Sequence, residues 1–346
     1  ASDCPSGGGW GGGGGGGKSF GKGGGSGGEQ GFTTFEPVQD LGIYGWNPEH
    51  LRQKRFRDVT AEDVLKGLRD MEAVTPARVQ ISGVHLPQDF AKPAAQWVPN
   101  AFPYDAGYVV PLYVAKERGC DLGRIDFCLG GSSLNMMATK EVVSGQRAAG
   151  DDTKYLVQKC PTTDVILVCK AKTYTTNYAD IGFQFERLVT GQSASDKHDL
   201  TKFENLHVMR VGDFSILFSA DVDAVDDAGA PVEIKSGNPK YFGMKVMFQM
   251  LSSGSKTLVT ATKQRDQLVG IGSKHIDRVV SEHNVTKLRE AELSIVDCLT
   301  ELKHSKMVSA DEPVELDFQR GQMVLKPCPG ADLMPAKEVV KQLLCP

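Results

Sequence analysis

The chain has 346 residues, of which 40% are hydrophobic and 24% charged, the profile of a soluble globular protein of one large domain or two smaller ones. Its net charge of -4 excludes a global basic field as the means of attracting nucleic acid. No apolar run approaches the ~20 residues needed to span a bilayer, so no membrane association is expected. The eight cysteines contain no CxxC pair and no zinc-site spacing, which excludes a structural zinc site.

Residues 1–31 are dominated by glycine. Such a segment has almost no side chains to bury and cannot offset the entropy of ordering, so a flexible tail is expected there. Residues 32–346 read as a single domain. The basic run LRQKRFRD at 51–58 is equally compatible with a solvated face and with phosphate contact. Thr60 followed by Asp63 is an N-cap signal for a helix through AEDVLKGLRDM. Loops and short strands are expected over the proline-punctuated residues 75–103. RIDFCL, YLVQKC and DVILVCKAKTYT are strand-like, rich in β-branched and aromatic residues. NYADIGFQFERLVTG reads as a helix ending at Gly191, and FENLHVMRVGDFSILFSADVDAV as two strands. YFGMKVMFQMLSSG follows as an amphipathic helix, KTLVTATK as a strand, HIDRVVSEHNVTKLREAELSIVDCLTELKHS as largely helical and VELDFQRGQMVLKPC as a closing hairpin. Strands and helices intermix, so the expected class is α/β (α+β), mixed sheets flanked by helices. Cys169 and Cys298 lie in apolar runs and read as reduced core residues. With no secretory signal, the expected location is intracellular, nuclear and/or cytoplasmic.

The stretch FSILFSADVDAVDDAGAPVEIKSG, residues 214–237, puts charge where a sheet should bury apolar groups. Side chains alternate faces along a strand. Asp221 and Asp223 therefore share one face, with Ile216, Phe218, Ala220 and Val222 on the other. In PVEIK, Glu233 and Lys235 share a face opposite Val232 and Ile234. With VDDAGAP as the turn, a hairpin is expected that carries all four ionisable groups on one side. Carboxylates ~4 Å apart repel by roughly 4 kcal/mol at an effective dielectric of ~20. A hard divalent ion, Mg²⁺ or Mn²⁺, relieves that repulsion through oxygen ligands, and Lys235 adds a fixed cation suited to a developing phosphate charge.

Asp223, followed after nine residues by Glu233-Ile234-Lys235, has the D-(D/E)-x-K pattern of metal-dependent phosphodiesterases. Two other [DE]-x-K triplets, at Asp152 and Glu301, fall in a turn and at a helix end. Only the third lies on an apolar strand after an acidic one. The competing reading is an exposed hairpin face with a salt bridge. Glu186, on a helix whose Phe183, Phe185 and Leu188 can pack on the sheet, supplies a further carboxylate. Lys245 and Gln249, four residues apart on one helical face, offer charge to a phosphate and an amide to substrate or water.

In that order, GFQFE, LFSADVD, VEIK and GMKVMFQ resemble the motifs of the DXO family of decapping exoribonucleases, with continuous likeness over about residues 120–275. The resemblance implies a D-(D/E)-x-K nuclease-like core binding Mg²⁺ or Mn²⁺, two ions in all. It also implies removal of incomplete, NAD-type or triphosphate 5′ ends from RNA, with possible 5′–3′ degradation. It implies Glu186, Asp221, Asp223, Glu233 and the Ile234 carbonyl as metal ligands, and Lys235, Lys245 and Gln249 around the scissile phosphate and attacking water. The partner implied is an RNA 5′ end, and a monomer is expected. The sequence departs from the family at two places. Asp221 stands where the family has glutamate, and Gly130 stands where it has arginine, with Arg124 and Lys140 the nearby cations. The second departure supports an alternative, a catalytically weakened relative that binds RNA ends or a protein partner.

Overall fold

The computed structural model describes residues 35–51, 54, 56–89, 97–99, 109–141, 154–171, 175–177, 181–192, 202–237, 242–264, 267–331 and 333–345. The glycine-rich segment expected to be a tail lies outside them.

The strands are β1 (Phe35–Trp46), β2 (Gln88–Asp89), β3 (Trp97–Pro99), β4 (Phe127–Leu129), β5 (Lys154–Lys159), β6 (Ile166–Ala171), β7 (Thr175–Asn177), β8 (Lys202–Val211), β9 (Phe214–Asp221), β10 (Ala224–Val225), β11 (Pro231–Lys235), β12 (Thr257–Gln264), β13 (Gln267–His275), β14 (Val314–Gln319) and β15 (Gln322–Pro327). The helices are α1 (Ala61–Arg69), α2 (Val109–Glu117), α3 (Gly131–Thr139), α4 (Ile181–Thr190), α5 (Gly243–Ser253), α6 (Ile276–Ser281), α7 (Val285–His304) and α8 (Lys337–Leu344). Among the described residues these form an eight-stranded sheet in the order β1-β8-β9-β4-β6-β5-β14-β15, a five-stranded sheet β10-β11-β12-β13-β2 and the small pair β3-β7. Both large sheets are mixed: β4 runs parallel to β6 and β9, and β11 parallel to β12, while their other pairings are antiparallel. The expected mixed α/β class is the observed one.

Alternation along the strands divides the core. One face of the large sheet, with Leu206, Leu217, Cys128 and Leu167, packs on α1, α2 and α8. The other, with Phe127, Leu129, Ile216 and Phe218, packs on α3, α5 and α7. On the smaller sheet, Val232, Ile234, Val259 and Ala261 pack on Phe185 and Val189 of α4. Cys169 and Cys298 are buried free thiols, as expected.

Local chemistry fixes the element ends. Thr60 and Asp63 form a reciprocal capping box on α1, satisfying two otherwise orphaned N–H groups. Gly191, after α4, and Gly254, after α5, have φ of +67°, the left-handed conformation that glycine adopts at least cost. The long helical stretch after residue 275 divides in two, because Asn284 caps the backbone of Thr286 and Lys287 and starts α7 afresh. The sequence reading assigns no element to β1, α2, α3, β13 or α8.

The hairpin expected from residues 214–235 is corrected. β9 is a central strand between β8 and β4, with Ile216, Leu217 and Phe218 all fully buried. The chain leaves that sheet after Asp221 and enters the other at Ala224, so of the expected first strand only the β10 portion pairs with β11. Acidic residues thus mark a crossing between sheets, where strand pairing stops and polar groups can remain.

α5 is tied to β8 at its C-terminus, where helix carbonyls lack intrahelical partners. Asn205 Nδ2 donates to the Ser253 carbonyl at 3.0 Å and His207 Nε2 to the Leu251 carbonyl at 3.0 Å. His207 stacks on Phe218, and burial lowers its pKa to about 4, with the Leu251 bond opposing. As pH falls from 6.5 the unfolded imidazole takes up a proton that the folded one refuses until about 4. The stability held at neutral pH is therefore lost over that window, by up to about 3 kcal/mol. We expect the unfolding free energy of the protein, relative to a His207→Gln variant, to shrink as pH falls from 7 to 4 in urea titrations.

Candidate active site

The acidic residues meet where β9 gives way to β10 and β11. Asp223 Oδ2 accepts the Ile234 backbone N–H at 2.8 Å and the Lys235 ammonium at 3.3 Å. The same ammonium donates to the Ile234 carbonyl at 3.0 Å and forms an ion pair with Glu233 Oε1. Lys235 thus sits among a carboxylate on each side and a backbone carbonyl. Glu233 is only 4% exposed, on the face of β11 opposite the Val232 and Ile234 that α4 covers. Asp221, at the end of β9, is exposed.

Charge balance makes this site unusual. Burial, then the charge of Asp223, raises the Glu186 carboxyl to about 8 against the pull of Lys235. The same two causes raise Glu233 to about 7, with a smaller upward push from Asp221. Burial pulls the Lys235 ammonium down, but Asp223 and Glu233 outweigh it and hold it above the ordinary lysine value. One lysine is thus shared by more carboxylates than it can neutralise, a pattern found at functional sites.

Asp223, Glu233, Ile234 and Lys235 are therefore joined by direct bonds, and Glu186 and Asp221 by electrostatic coupling. α4 forms where expected, with Phe185 and Val189 fully buried and Leu188 packed beside them. Lys245 is exposed and Gln249 half-buried on α5, which packs on both β9 and β11. Among the described residues no hydrogen bond or ion pair joins either side chain to the carboxylates. Nor, among them, is any group of three or more His, Cys, Asp or Glu gathered closely enough to hold a metal. The oxygens instead close on the Lys235 amine. The donor set itself, carboxylates and a backbone carbonyl, suits a hard divalent ion.

Two glycines govern the neighbouring end of β4. Gly130, the residue before α3, would place a β-carbon 3.1 Å from the Ser219 carbonyl, so a side chain there requires the β4–β9 junction to yield. Gly131 would place one 2.9 Å from both the Gln249 Cα and the Phe248 carbonyl, so its lack of a side chain is what lets α3 approach α5. Gly131→Ala is expected to destabilise by about 1–3 kcal/mol through this overpacking, measured as a lower urea midpoint. Arg124 is exposed and paired with Asp121. Lys140 closes α3 at its far end with φ of +50°.

Sequence reasoning misses a further polar cluster beside Asp221. The Tyr44 hydroxyl donates to Glu204 Oε2 at 2.6 Å, and the Ser219 hydroxyl donates to the same oxygen. Glu204 is an isolated acid in KFENLHVMRV, and only strand register brings it opposite Asp221.

The fold and site define a mixed-sheet α/β protein with a carboxylate–lysine centre at the crossing between its two large sheets. Solved structures share this fold. Candida albicans Rai1 in complex with pU5–Mn²⁺ matches with a TM-score of 0.57 at 11% identity, over 91% of this chain and 97% of that one. S. pombe Rai1 in complex with 3′-FADP matches with a TM-score of 0.55 at 14% identity, over 85% and 94%. K. lactis Dxo1 in complex with manganese matches with a TM-score of 0.50 at 12% identity, over 86% and 90%. No protein-family profile and no curated protein sequence matches the chain. Among the described residues no helix is long and apolar enough to cross a membrane.

Proposed function

We propose that the protein is a metal-dependent hydrolase of RNA 5′ ends, removing incomplete, NAD-type or triphosphate ends. The observation that carries this reading is the Asp223–Lys235–Glu233 constellation with Glu186 coupled to it, on a fold shared with Rai1 bound to pU5–Mn²⁺. Glu186, Asp221, Asp223, Glu233 and the Ile234 carbonyl would hold one or two divalent ions. A bound Mg²⁺ or Mn²⁺ supplies neutralising charge and an acidified water for attack on phosphorus. Lys235, fixed by two carboxylates, places a positive charge where a phosphate gains negative charge as it reacts. Gln249 offers an amide to orient water or substrate, and Lys245 attracts the RNA backbone from the exposed side of α5. The protein acts in RNA 5′-end quality control, as a monomer, in the nucleus or cytoplasm.

The test is incubation with Mn²⁺ and 5′-triphosphate, NAD-capped or 5′-monophosphate RNA, with single-stranded DNA as comparison. Release of the 5′ group from RNA is the expected result, and no turnover of any RNA overturns the enzyme reading. Gly130 favours a second reading, a weakened relative that binds RNA ends without cutting them. Arginine's fork grips phosphate in a way that glycine cannot, and the Ser219 carbonyl crowds any side chain there. Retained RNA binding without turnover is its signature.

A further inference from the structure

The C-terminal end of α4 and the segment leading into β2 enclose a cavity of about 450 Å³, a size within the range of small-molecule sites. Gln80, Val84, His85, Gln88, Leu188 and Gly191 line it. Leu188 lies two residues beyond Glu186 on α4, which is about 200° around the helix. The cavity and the Asp223–Lys235–Glu233 constellation therefore lie on different sides of α4.

Ordered backbone carries the polar groups of the wall. The Gln80 N–H donates to the Val189 carbonyl at 2.6 Å, at the end of α4. The Gln80 carboxamide lies over Gly191, where a β-carbon would stand 3.0 Å from its Oε1. Gln88 belongs to β2 and pairs with Leu268 of β13. Between the two glutamines a 3₁₀ turn, Ile81–Gly83, sets Ile81 on the core that α4 covers, and Val84 and His85 follow it. Among the described residues no hydrogen bond occupies the side chains of Gln80, His85 or Gln88, which leaves their donors and acceptors open to a ligand.

These walls select a ligand chemistry. No lysine, arginine or carboxylate lines the cavity, and it opens at the C-terminal end of α4, the negative end of the helix dipole. A phosphate finds no partner there. Val84 and Leu188 offer apolar surface, and the His85 imidazole is a ring on which a base can stack. A carboxamide presents a donor beside an acceptor. Adenine carries the complementary pair at N7 and N6–H₂, where guanine has two acceptors, and carries it again at N1 and N6–H₂. We propose that this cavity binds an adenine base, with Gln80 and Gln88 reading its edges, His85 stacking on its face, and the ribose and any phosphate left outside. The site goes beyond the hydrolase reading and does not require the carboxylates to hold a metal. An RNA strand and a free nucleoside present the same base, so the recognition chemistry is shared.

The test is calorimetric titration of the whole chain, in chelator, with adenosine, guanosine and cytidine. Adenosine is expected to saturate one site, with guanosine and cytidine about tenfold weaker, the low end of discrimination by a carboxamide pair. Gln80→Ala and Gln88→Ala are each expected to erase most of that preference, and His85→Ala to weaken every nucleoside about tenfold through lost stacking. Gln80 and His85 are exposed and Gln88 half-buried, so the variants should melt with the wild type. An oligoadenylate with a 5′-hydroxyl separates the sources. Tighter binding than adenosine, lost in the same variants, identifies an RNA strand as occupant, and binding no tighter identifies the free nucleoside. No saturation by adenosine up to roughly 10 mM, equal binding of guanosine, or adenosine binding unchanged in all three variants overturns the proposal. None of these readouts involves Mn²⁺ or turnover, so this site and the hydrolase reading fail separately.

Discussion

Replacing Glu233 by glutamine is expected to lower Mn²⁺-dependent RNA 5′-end hydrolysis by roughly a thousandfold, the scale of losing one preorganised charge at a reacting centre. The metal-free melting temperature should move by only a few degrees. Glu233 is nearly inaccessible, and glutamine has nearly the same volume with an oxygen that can still accept from Lys235. The stability terms oppose each other. An ion pair is lost, but so is the repulsion with Asp223 that helps raise the Glu233 carboxyl. Chemistry has no such compensation, because an amide neither neutralises a divalent cation nor holds Lys235 with charge. Single-turnover rates with 5′-triphosphate RNA, beside differential scanning fluorimetry in chelator, separate the two. A variant that loses activity and also collapses in stability would mark Glu233 as structural.

Legibility of the fold followed the reach of local rules. The α1 cap needs only Thr60 and Asp63, three residues apart, and it formed as read. α4 and α5 follow their apolar spacing and end at glycines that reverse the backbone. α2 escaped because its residues are apolar nearly all round, with Val109, Val110, Pro111, Leu112 and Ala115 all buried. Such a helix carries no amphipathic period. α3 escaped because it begins Gly-Ser-Ser without a side-chain cap and is set by its contact with α5, a tertiary cause. In the site, alternation put Asp223, Glu233 and Lys235 on one side, and their bonds agree with it. The same rule misassigned β9, because alternation predicts one polar face and β9 is buried on both faces at its centre, Ile216 to Phe218. A strand in the middle of a mixed sheet is apolar wherever it is covered; β8 adjoins β9 through a two-residue turn, but β4, its partner on the other side, lies more than eighty residues earlier in the chain and is too distant to be read from it. The Glu204–Asp221 pairing needed the register of the β8–β9 hairpin, which two strands taken separately do not supply.

Removing the lysine should expose what the site lacks. Lys235→Ala is expected to destabilise the metal-free protein by about 3–5 kcal/mol, the range for deleting one partner of a buried ion pair. Three carboxylates, Glu186, Asp223 and Glu233, then face one another with the central cation gone. They can limit the damage only by holding protons, which makes the loss depend on pH. A carboxyl whose folded pKa is raised above its unfolded value contributes stability that is full below the unfolded pKa and is lost as pH rises through the folded one. Glu233 and Glu186 are already raised, to about 7 and about 8, and without Lys235 both move further up. The deficit of the variant should therefore be small near pH 5 and grow steadily toward pH 8 in urea unfolding. Added Mn²⁺ restores the missing positive charge, and binding to the folded state alone stabilises by mass action. The variant should consequently gain more in melting temperature from Mn²⁺ than the wild type, which already has a resident cation, while remaining inactive on RNA. Equal gains in the two proteins would show that the ion binds away from Lys235 and its carboxylates.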